Sequence, residues 1–463
     1  MRKRDRFKRL ITFFEGFVIL AIHTILFTYL WYGFYQRELE LLDISFWRRG
    51  NWAVVGFYAL IMYLFTNLYG GFKIGYLRLM DVLYSQMLSL LCTNVIAYLQ
   101  ICLISREYLT VRPLLLMTLA QVVIILVWVF ICKSIYALLY PPRQMLLIYD
   151  DRSPKEILNK LGTRKDKYNI CDIMHLSEGL DNICESLDNY EAVLIYDISA
   201  YERNIILKRC FELSVRTYVT PKISDILLTG SDKIHLFDTP LLLSRNKGLS
   251  GDQIIFKRIM DLVITIPISI ILLPFFLVIA LLIKLYDGGP VLYSQERLTL
   301  DGKIFKIYKF RSMRIDSEKN GIQLAKKGDD RITPVGRVLR ALHFDEFPQV
   351  INIIKGDMSL VGPRPERPEI AKQYKEIIPE FDFRLKVKAG LTGYAQVYGK
   401  YNTTPYDKLK LDLTYIENYS LWLDFKLLLL TFKILFQKEN TEGIDLNQTT
   451  AVKENDKKEI ENK

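Results

Sequence analysis

The sequence predicts a membrane protein in three parts: four N-terminal transmembrane helices, a small α/β domain, and a C-terminal monotopic α/β domain with a re-entrant membrane helix. Half of the 463 residues are hydrophobic, and the mean hydropathy is positive at +0.13. Four apolar runs of membrane-spanning length lie before residue 143, and a fifth lies near residue 270. Between and after these runs, strand-like and helix-like patterns alternate, which predicts α/β domains.

The composition excludes several classes of protein. The chain has 62 Lys and Arg residues against 51 Asp and Glu residues, a net charge of +11. Because these cations are spread along an apolar chain, they favour the basic cytoplasmic faces of a membrane protein over nucleic-acid binding. The six cysteines show no CxxC spacing and the four histidines lie far apart, so the sequence indicates neither a disulfide scaffold, nor a zinc ribbon, nor an HExxH metal site.

Residues 1–143 are predicted to hold the four transmembrane helices. A hydrocarbon core needs about 20 apolar residues in a helix, and four runs meet this length: residues 10–35, 52–69, 79–104 and 113–140. Flanking basic residues favour a cytoplasmic N-terminus, and an even number of spans returns the chain to the cytoplasm. Three polar residues, Glu15, His23 and Asp81, are predicted to pair between helices; contact with a substrate is the alternative.

Residues 144–250 are predicted to form a cytoplasmic Rossmann-like domain. The runs MLLIYD, AVLIYDI and TYVTP are each typical of a strand buried in a parallel sheet. A helix between the first two is predicted to begin near Lys155 and to end at Gly162. The first strand-to-helix turn carries two aspartates and no glycine, which does not suit a dinucleotide phosphate. We therefore expect a regulatory or spacer domain without a cofactor.

A further apolar run at residues 262–285 is interrupted by two prolines. It is long enough to cross a membrane, but a fifth crossing would carry the rest of the chain outside the cell. Lys257 and Arg258 precede the run, as is typical of a cytoplasmic end. The sequence therefore predicts a re-entrant helix at about residues 259–286 that breaks at Pro274, because proline removes an amide donor and clashes with the preceding turn. A kinked fifth spanning helix is the alternative.

Residues 251–437 are predicted to form the third domain, in which mixed polar and apolar segments with glycine turns follow the re-entrant helix. Residues 422–436 predict a second apolar helix, which is too short to span a membrane comfortably and suits the interface or the core. Residues 438–463 are polar and nearly free of aliphatic side chains, so they are predicted to be a disordered tail.

Cationic and acidic residues in the third domain point to phosphoryl chemistry. A phosphoryl group in transfer carries negative charge on its oxygens, which Lys, Arg and Mg²⁺ stabilise, while a carboxylate holds a metal or attacks phosphorus. The candidate residues are Asp345, Glu346, Lys309, Arg311, Arg340, Arg364 and Asp412.

Three of these candidates have a predicted local setting. Asp345 and Glu346 precede an apolar run of helical period, so we expect Asp345 at or near a helix N-terminus, where the dipole would keep it ionised as a nucleophile. An ordinary N-cap with an exposed glutamate is the alternative. Arg364 lies between two prolines, a stiff mount for binding a diphosphate; a solvated loop arginine is the alternative. Asp412, in a helical pattern, is a functional residue, a surface residue or a buried salt-bridge partner.

The third domain resembles the bacterial sugar transferase family, the monotopic phosphoglycosyl transferases. The resemblance covers about residues 254–437. It rests on Lys257-Arg258, GPV and QER, KIYKFRSM, RITPVGRVLR, DEFPQVINIIKGDMSLVGPRPERP and LDLTYIENYSLWLD. The four-span region and the α/β domain resemble the large subgroup of the family, which acts in capsule, exopolysaccharide or O-antigen assembly.

The resemblance implies transfer of a sugar 1-phosphate from a UDP-sugar to undecaprenyl phosphate at the cytoplasmic face of the bacterial inner membrane. It implies that Asp345 attacks the sugar-bearing phosphate, releases UMP and carries a covalent phosphosugar, and that Glu346 binds Mg²⁺. A homo-oligomer is compatible with it. The residues that it implies in phosphate or nucleotide binding are Lys309, Arg311, Arg340, Arg364 and Asp412.

Some questions stay open in the sequence. A conventional glycosyltransferase that releases UDP and a catalytically silent scaffold of polysaccharide assembly are the alternative functions. Leu273 precedes Pro274 where the family often has serine, so the predicted helix break rests on proline alone. Thr299, Ala389 and the segment VYGK at residues 397–400 depart from the family pattern near the expected sugar pocket. The donor sugar is therefore open, with galactose and glucose as the leading candidates.

Overall fold

The computed structural model describes residues 7–42, 48–150, 152–244, 248–314, 331–400 and 403–435. The chain divides into two compact units, Met1–Pro221 and Lys222–Lys463. The predicted disordered tail at residues 438–463 lies outside the described residues.

The first unit begins with the helices that the apolar runs predict. These are α1 (Lys8–Leu30), which continues through a π-helical turn (Trp31–Tyr35) into α2 (Gln36–Leu41), then α3 (Arg48–Tyr69), α4 (Leu79–Ser105) and α5 (Arg112–Leu139). Among the described residues, five helices are long and apolar enough to cross a membrane: Lys8–Leu41, Arg49–Tyr69, Leu79–Ser105, Arg112–Leu139 and Gly251–Tyr286. The chain is therefore a membrane protein, and the number of crossings stays a prediction.

Polar pairing between these helices involves other residues than those predicted. The Tyr58 hydroxyl donates to Asn94, Asn94 donates to Gln121, and Gln121 donates back to Tyr58, which closes a ring across α3, α4 and α5. The side-chain polar atoms of Glu15 and His23 make no hydrogen bond within the described residues. Interhelical hydrogen bonding of these two residues is therefore not found in the part of the chain that the structure describes.

A four-stranded parallel sheet completes the first unit. Its elements are β1 (Arg143–Tyr149), α6 (Lys155–Gly162), β2 (Tyr168–His175), α7 (Leu180–Ser186), β3 (Ala192–Tyr196), α8 (Ala200–Glu212) and β4 (Arg216–Val219). The strand order is β2-β1-β3-β4, and the apolar predicted strands β1 and β3 lie in the centre. The sequence analysis missed β2, because an edge strand is half exposed and lacks a continuous apolar run. The predicted end of α6 at Gly162 is confirmed.

The second unit starts earlier than the predicted domain boundary at residue 251. It contains α9 (Ile223–Thr229) and an antiparallel hairpin of β5 (Asp232–Leu236) and β6 (Thr239–Leu243). Ile223 and Ile226 of α9 belong to the same buried apolar cluster as Leu409 and Leu413. This packing explains why residues 222–250 belong to the C-terminal unit and not to the parallel sheet.

The rest of the second unit surrounds that cluster with short elements. They are α10 (Gly251–Asp287), the antiparallel strands β7 (Leu292–Leu298) and β8 (Ile304–Phe310), α11 (Pro334–Ala341), α12 (Gln349–Lys355), β9 (Ser359–Val361), α13 (Pro368–Ile377), β10 (Gly390–Thr392), α14 (Tyr394–Tyr398), α15 (Pro405–Glu417) and α16 (Leu421–Leu435). Strands β9 and β10 pair in parallel. Helix α16 confirms the second apolar helix predicted at residues 422–436.

Helix α10 corresponds to the predicted re-entrant helix, but it differs from the prediction in its secondary structure. Its backbone is helical through both prolines from Gly251 to Asp287, so the predicted break at Pro274 is wrong. One proline costs a helix a single amide donor, and the turns on either side remain intact. Whether the helix re-enters the membrane or crosses it stays a prediction.

The two cations before the apolar run anchor α10 to its own unit. Lys257 is 5% exposed; its ammonium pairs with Asp424 and donates to the Tyr415 hydroxyl at 3.0 Å. Arg258 donates to the carbonyls of Ile353 and Ile354 at 2.6 and 2.8 Å, which satisfies the carboxyl end of α12. Both side chains are therefore bound to groups of the same unit.

Candidate active site

Strand β8 positions Lys309, the first cation of the site. In the β7–β8 hairpin, Lys309 lies opposite Tyr293. The Asn352 side chain on α12 accepts from the Tyr308 amide at 3.0 Å and donates to the Lys306 carbonyl at 2.8 Å. These two hydrogen bonds satisfy backbone groups of β8 on the edge that does not pair with β7. They also fix the position of Lys309 relative to the segment that precedes α12.

That segment is a tight turn carrying the two adjacent carboxylates. Helix α11 ends at Ala341, His343 takes a left-handed conformation (φ 56°), and residues Phe344–Glu346 form one turn of 3₁₀ helix. Asp345 therefore lies four residues before the first residue of α12, near its N-terminus, as one of the two predicted positions (at or near the N-terminus) has it. A histidine in the left-handed region is uncommon and is often found at functional sites.

The Glu346 carboxylate is paired with two cationic side chains. Its Oε1 atom accepts from Lys309 Nζ at 2.6 Å and from Arg364 at 2.8 Å. Burial alone would raise the pKa of the Glu346 carboxyl, but Arg364 and Lys309 together hold this pKa well below its usual range. Glu346 is therefore ionised, and the alternative of an exposed glutamate is not the one found.

Asp345 has the opposite electrostatic setting. It is 8% exposed, and within the described residues its carboxylate accepts no hydrogen bond. Burial and the neighbouring Glu346 raise the pKa of Asp345 above its usual value, and the opposing charges of Lys309 and Arg340 do not cancel this rise. Burial therefore outweighs the opposing charges at Asp345, and the expected stabilisation of the ion by a helix dipole stays a prediction.

Of the two other candidate arginines, Arg340 acts on this pair, and Arg311 is buried at the end of β8. The Arg340 Nε donates to the Ser312 hydroxyl at 2.9 Å, and the charge of Arg340 acts on Asp345. Arg311 is buried just after β8, with its amide donating to the Val291 carbonyl at 3.0 Å. Thr333 caps α11 by accepting from the Gly336 amide, which fixes the helix that carries Arg340. The structure thus brings Lys309, Arg340 and Arg364 to one carboxylate pair.

Asp412 is buried in a salt bridge, whereas a residue that binds a nucleotide must be accessible to it. It is 1% exposed, and its Oδ2 atom lies 2.7 Å from an Arg384 nitrogen. Burial raises the pKa of Asp412, although Arg384 opposes this effect. A side chain enclosed in this way does not reach a soluble ligand, so Asp412 is the buried salt-bridge partner that the sequence analysis left open.

The sequence analysis missed Arg384 and Glu366, the partners of Asp412. Glu366 lies 3.5 Å from Arg384 and also pairs with Lys408. Burial would raise the pKa of Glu366, but Lys408 and Arg384 lower it to about 2. Glu366 was present in the segment RPERP that carries the family resemblance, whereas Arg384 lies outside every segment that the resemblance rests on.

The donor atoms at the carboxylate pair fit Mg²⁺ only together with a substrate. Within the described residues there is no group of three or more His, Cys, Asp or Glu side chains that could hold a metal ion. Mg²⁺ is commonly bound by one or two carboxylates, with substrate phosphate oxygens and water completing its shell. Glu346 and Asp345 supply such carboxylates beside cations that suit a diphosphate.

Comparison with known proteins identifies relatives of this site. A family model described as bacterial sugar transferase matches residues 252–438. The chain is 38% identical to a UDP-N-acetylgalactosamine-undecaprenyl-phosphate N-acetylgalactosaminephosphotransferase of Aeromonas hydrophila over 61% of this chain and 67% of that protein. It is 34% identical to a UDP-glucose:undecaprenyl-phosphate glucose-1-phosphate transferase of Klebsiella pneumoniae, over 56% and 52% of the two chains. A galactosyl transferase of Streptococcus agalactiae is 41% identical over 32% and 35%.

Proposed function

Because this chain belongs to the bacterial sugar transferase family, we propose that it transfers a sugar 1-phosphate from a UDP-sugar to undecaprenyl phosphate. The names of two relatives specify this reaction for those proteins. The observation that carries the proposal is the contrast between the adjacent carboxylates. Glu346 accepts hydrogen bonds from two cations, whereas Asp345 is buried and accepts none from the described residues.

The proposed first step uses Asp345 as the nucleophile. One Asp345 carboxylate oxygen forms a bond to the sugar-bearing phosphorus of the UDP-sugar. The bond between that phosphorus and the bridging oxygen breaks, and UMP leaves with the bridging oxygen. A carboxylate that makes no hydrogen bond within the described residues loses little stabilisation when it attacks, and its burial makes the ion more reactive.

In the second step, a phosphate oxygen of undecaprenyl phosphate attacks the same phosphorus. The bond to the Asp345 oxygen breaks, which restores the free carboxylate and forms the polyprenyl diphosphate sugar. Lys309 and Arg364 are suited to bind the negative oxygens in both steps, because each already donates to a carboxylate oxygen one residue away from Asp345.

Mg²⁺ belongs to this proposal as the cofactor, with Glu346 as its protein ligand. When bound, the ion would neutralise charge on the diphosphate. Lys309 and Arg364 then hold the Glu346 carboxylate in its ionised form, the form in which it binds a metal.

The donor sugar is not assigned. The relatives are named for N-acetylgalactosamine, glucose and galactose, so membership of the family does not select one hexose. We place the catalytic unit at the cytoplasmic face of the bacterial inner membrane, because UDP-sugars are cytoplasmic and undecaprenyl phosphate is confined to lipid. Capsule, exopolysaccharide or O-antigen synthesis is the proposed pathway class.

The experiment that tests the proposal is product analysis with the purified full chain, undecaprenyl phosphate, Mg²⁺ and a panel of UDP-sugars. We expect UMP as the nucleotide product, and a trappable phosphosugar adduct that Asp345→Asn abolishes. The matched control is Asp188→Asn, an exposed aspartate of the first unit, which should retain both UMP release and the adduct. Release of UDP would indicate a conventional glycosyltransferase, and turnover that survives in Asp345→Asn would reject this nucleophile.

A further inference from the structure

The loop that carries Arg364 is bound at every one of four consecutive carbonyl groups. The donors, for residues 363, 364, 365 and 366 in turn, are the Gly390 amide at 2.9 Å, an Arg384 nitrogen at 2.9 Å, an Arg297 nitrogen at 3.1 Å and the Leu298 amide at 3.0 Å. A loop usually leaves such groups to water. Here the backbone on both sides of Arg364 is fixed by the protein.

Two of the four donors are arginine side chains, which come from different parts of the second unit. Arg297 is on β7 and also donates to the Gln295 side chain at 2.7 Å. Arg384 follows α13 and is 2% exposed. A guanidinium placed against a backbone carbonyl is an expensive way to satisfy one acceptor, because its charge must itself be compensated when it is buried.

That compensation comes from a second layer of charge. Arg384 lies 2.7 Å from Asp412 and 3.5 Å from Glu366, and Lys408 pairs with Glu366 as well. Asp412 and Lys408 are four residues apart on α15, so one face of this helix presents both charges. One nitrogen of Arg384, Nη2, contacts both Asp412 and the carbonyl of Arg364, and Nη1 faces Glu366. Arg384 therefore links α15 to the loop that carries Arg364.

We propose that Arg384 is a positioning residue for Arg364, with Asp412 as its counter-ion, and that it sets the affinity of the site for the nucleotide phosphate. This inference rests on the proposed function, in which Arg364 binds that phosphate. Arg364 is flanked by prolines, and its backbone carbonyl accepts a hydrogen bond from Arg384. Its side chain donates to Glu346 at 2.8 Å. A displacement of about 1 Å at a positioned group costs up to about 10²-fold in rate.

The test compares Arg384→Lys with wild type in the full purified chain. Lysine keeps a positive charge opposite Asp412, but it has no planar guanidinium to place one nitrogen at Asp412 and the Arg364 carbonyl and a second nitrogen toward Glu366. We expect the Kd for UMP, measured by calorimetry, and the KM for the UDP-sugar to rise about 10-fold, with a smaller change in kcat. Arg209→Lys, an exposed arginine on α8, is the control and should change neither quantity.

A double variant separates positioning from a merely structural role. In an Arg364→Ala background, Arg384→Lys should cause no further loss of UMP affinity, because the residue that it positions is gone. Losses that multiply, or an unchanged Kd in Arg384→Lys alone, would overturn the inference. If Arg384→Lys does not fold, Arg297→Lys answers the same question, because Arg297 holds the next carbonyl of the loop.

The proposed function fails in a different way. If wild type binds no UMP and releases UDP, the reaction assignment is wrong, irrespective of Arg384. If wild type binds and releases UMP while the Arg384 variants match it, only the positioning role is lost.

Discussion

Two loops of this chain follow a parallel strand at its carboxyl end, and they differ in how their charges are treated. After β1, Arg152 pairs with Glu156 at 3.0 Å, with side chains 24% and 39% exposed. After β9, the loop with Arg364 is backed by Arg384 and Asp412, with side chains 2% and 1% exposed. The larger sheet thus carries an ordinary surface pair, whereas the two-stranded sheet carries the candidate site. Buried and compensated charge marks the functional region better than the size of the sheet does.

The largest effect that we expect from this contrast is at Glu346. Glu346→Gln removes the ion that Lys309 and Arg364 share, so both cations lose their fixed position beside Asp345. We expect kcat/KM for UMP release to fall about 10²-fold or more. Glu376→Gln on α13, an exposed glutamate, should keep wild-type rates. Equal activity of the two variants would mean that the grip on Glu346 plays no part in the reaction.

A second expected effect is on the stability of the C-terminal unit. Asp412→Ala removes the nearer of the two carboxylates that pair with the buried Arg384, and breaking a buried pair costs about 3–5 kcal/mol. The apparent melting temperature of the unit should therefore fall by about 10 °C. Asp382→Ala removes the exposed partner of Lys375 in the same unit and should lower it by no more than about 2 °C. Similar losses in both variants would show that burial does not distinguish these pairs.

A third prediction concerns the pH dependence of the same network. The pKa of Glu366 is lowered to about 2 from an ordinary value of 4.5. A carboxyl with a lowered pKa stabilises the fold above its unfolded pKa, and this stabilisation is lost as the pH falls through the folded pKa. The melting-temperature gap between wild type and Glu366→Gln should be full at pH 6, corresponding to at most about 3 kcal/mol, and nearly close by pH 2. A gap that is constant with pH would contradict this pKa.

The smallest effect is expected at the surface pair of the first unit. Glu156→Ala breaks the exposed ion pair with Arg152, and such pairs contribute about 0–1 kcal/mol. We expect no change in UMP release and a change in melting temperature of about 2 °C or less, with less still in high salt because salt screens exposed charges. A loss comparable to that of Asp412→Ala would remove the distinction between the two loops.

Local patterns in the sequence predicted much of this molecule. Apolar runs predicted the helices of the first unit, and the buried strands β1 and β3 stood out because both of their faces are covered. Asp345 and Glu346 could be identified because two consecutive carboxylates are visible in the sequence without knowledge of the fold. Edge strand β2 and the unbroken helix through Pro274 could not, because each depends on neighbours that a local pattern does not show.

The candidate site was predictable as a set of residue types but not as an arrangement. The sequence identified Lys309 and Arg364 as phosphate-binding candidates. It did not show that both contact Glu346, from which Lys309 is 37 residues away and Arg364 is 18 residues away along the chain. Arg384 was missed altogether, and for Asp412 the sequence left three alternatives open, of which the structure shows the buried salt bridge. These outcomes depend on long-range packing, which spacing along the chain does not encode in a readable way.

By itself, the sequence determined that this protein is apolar enough for a membrane, that its second half carries cations beside paired carboxylates, and which family it resembles. Only the tertiary structure decided that, among the described residues, Glu346 accepts hydrogen bonds from two cations and Asp345 accepts none. It also decided that the Arg364 side chain contacts Glu346, while Arg384 contacts the Arg364 carbonyl. The physical reason is that electrostatic effects depend on distance and burial. Both are set where β8, the Asp345 turn and the Arg364 loop meet in space.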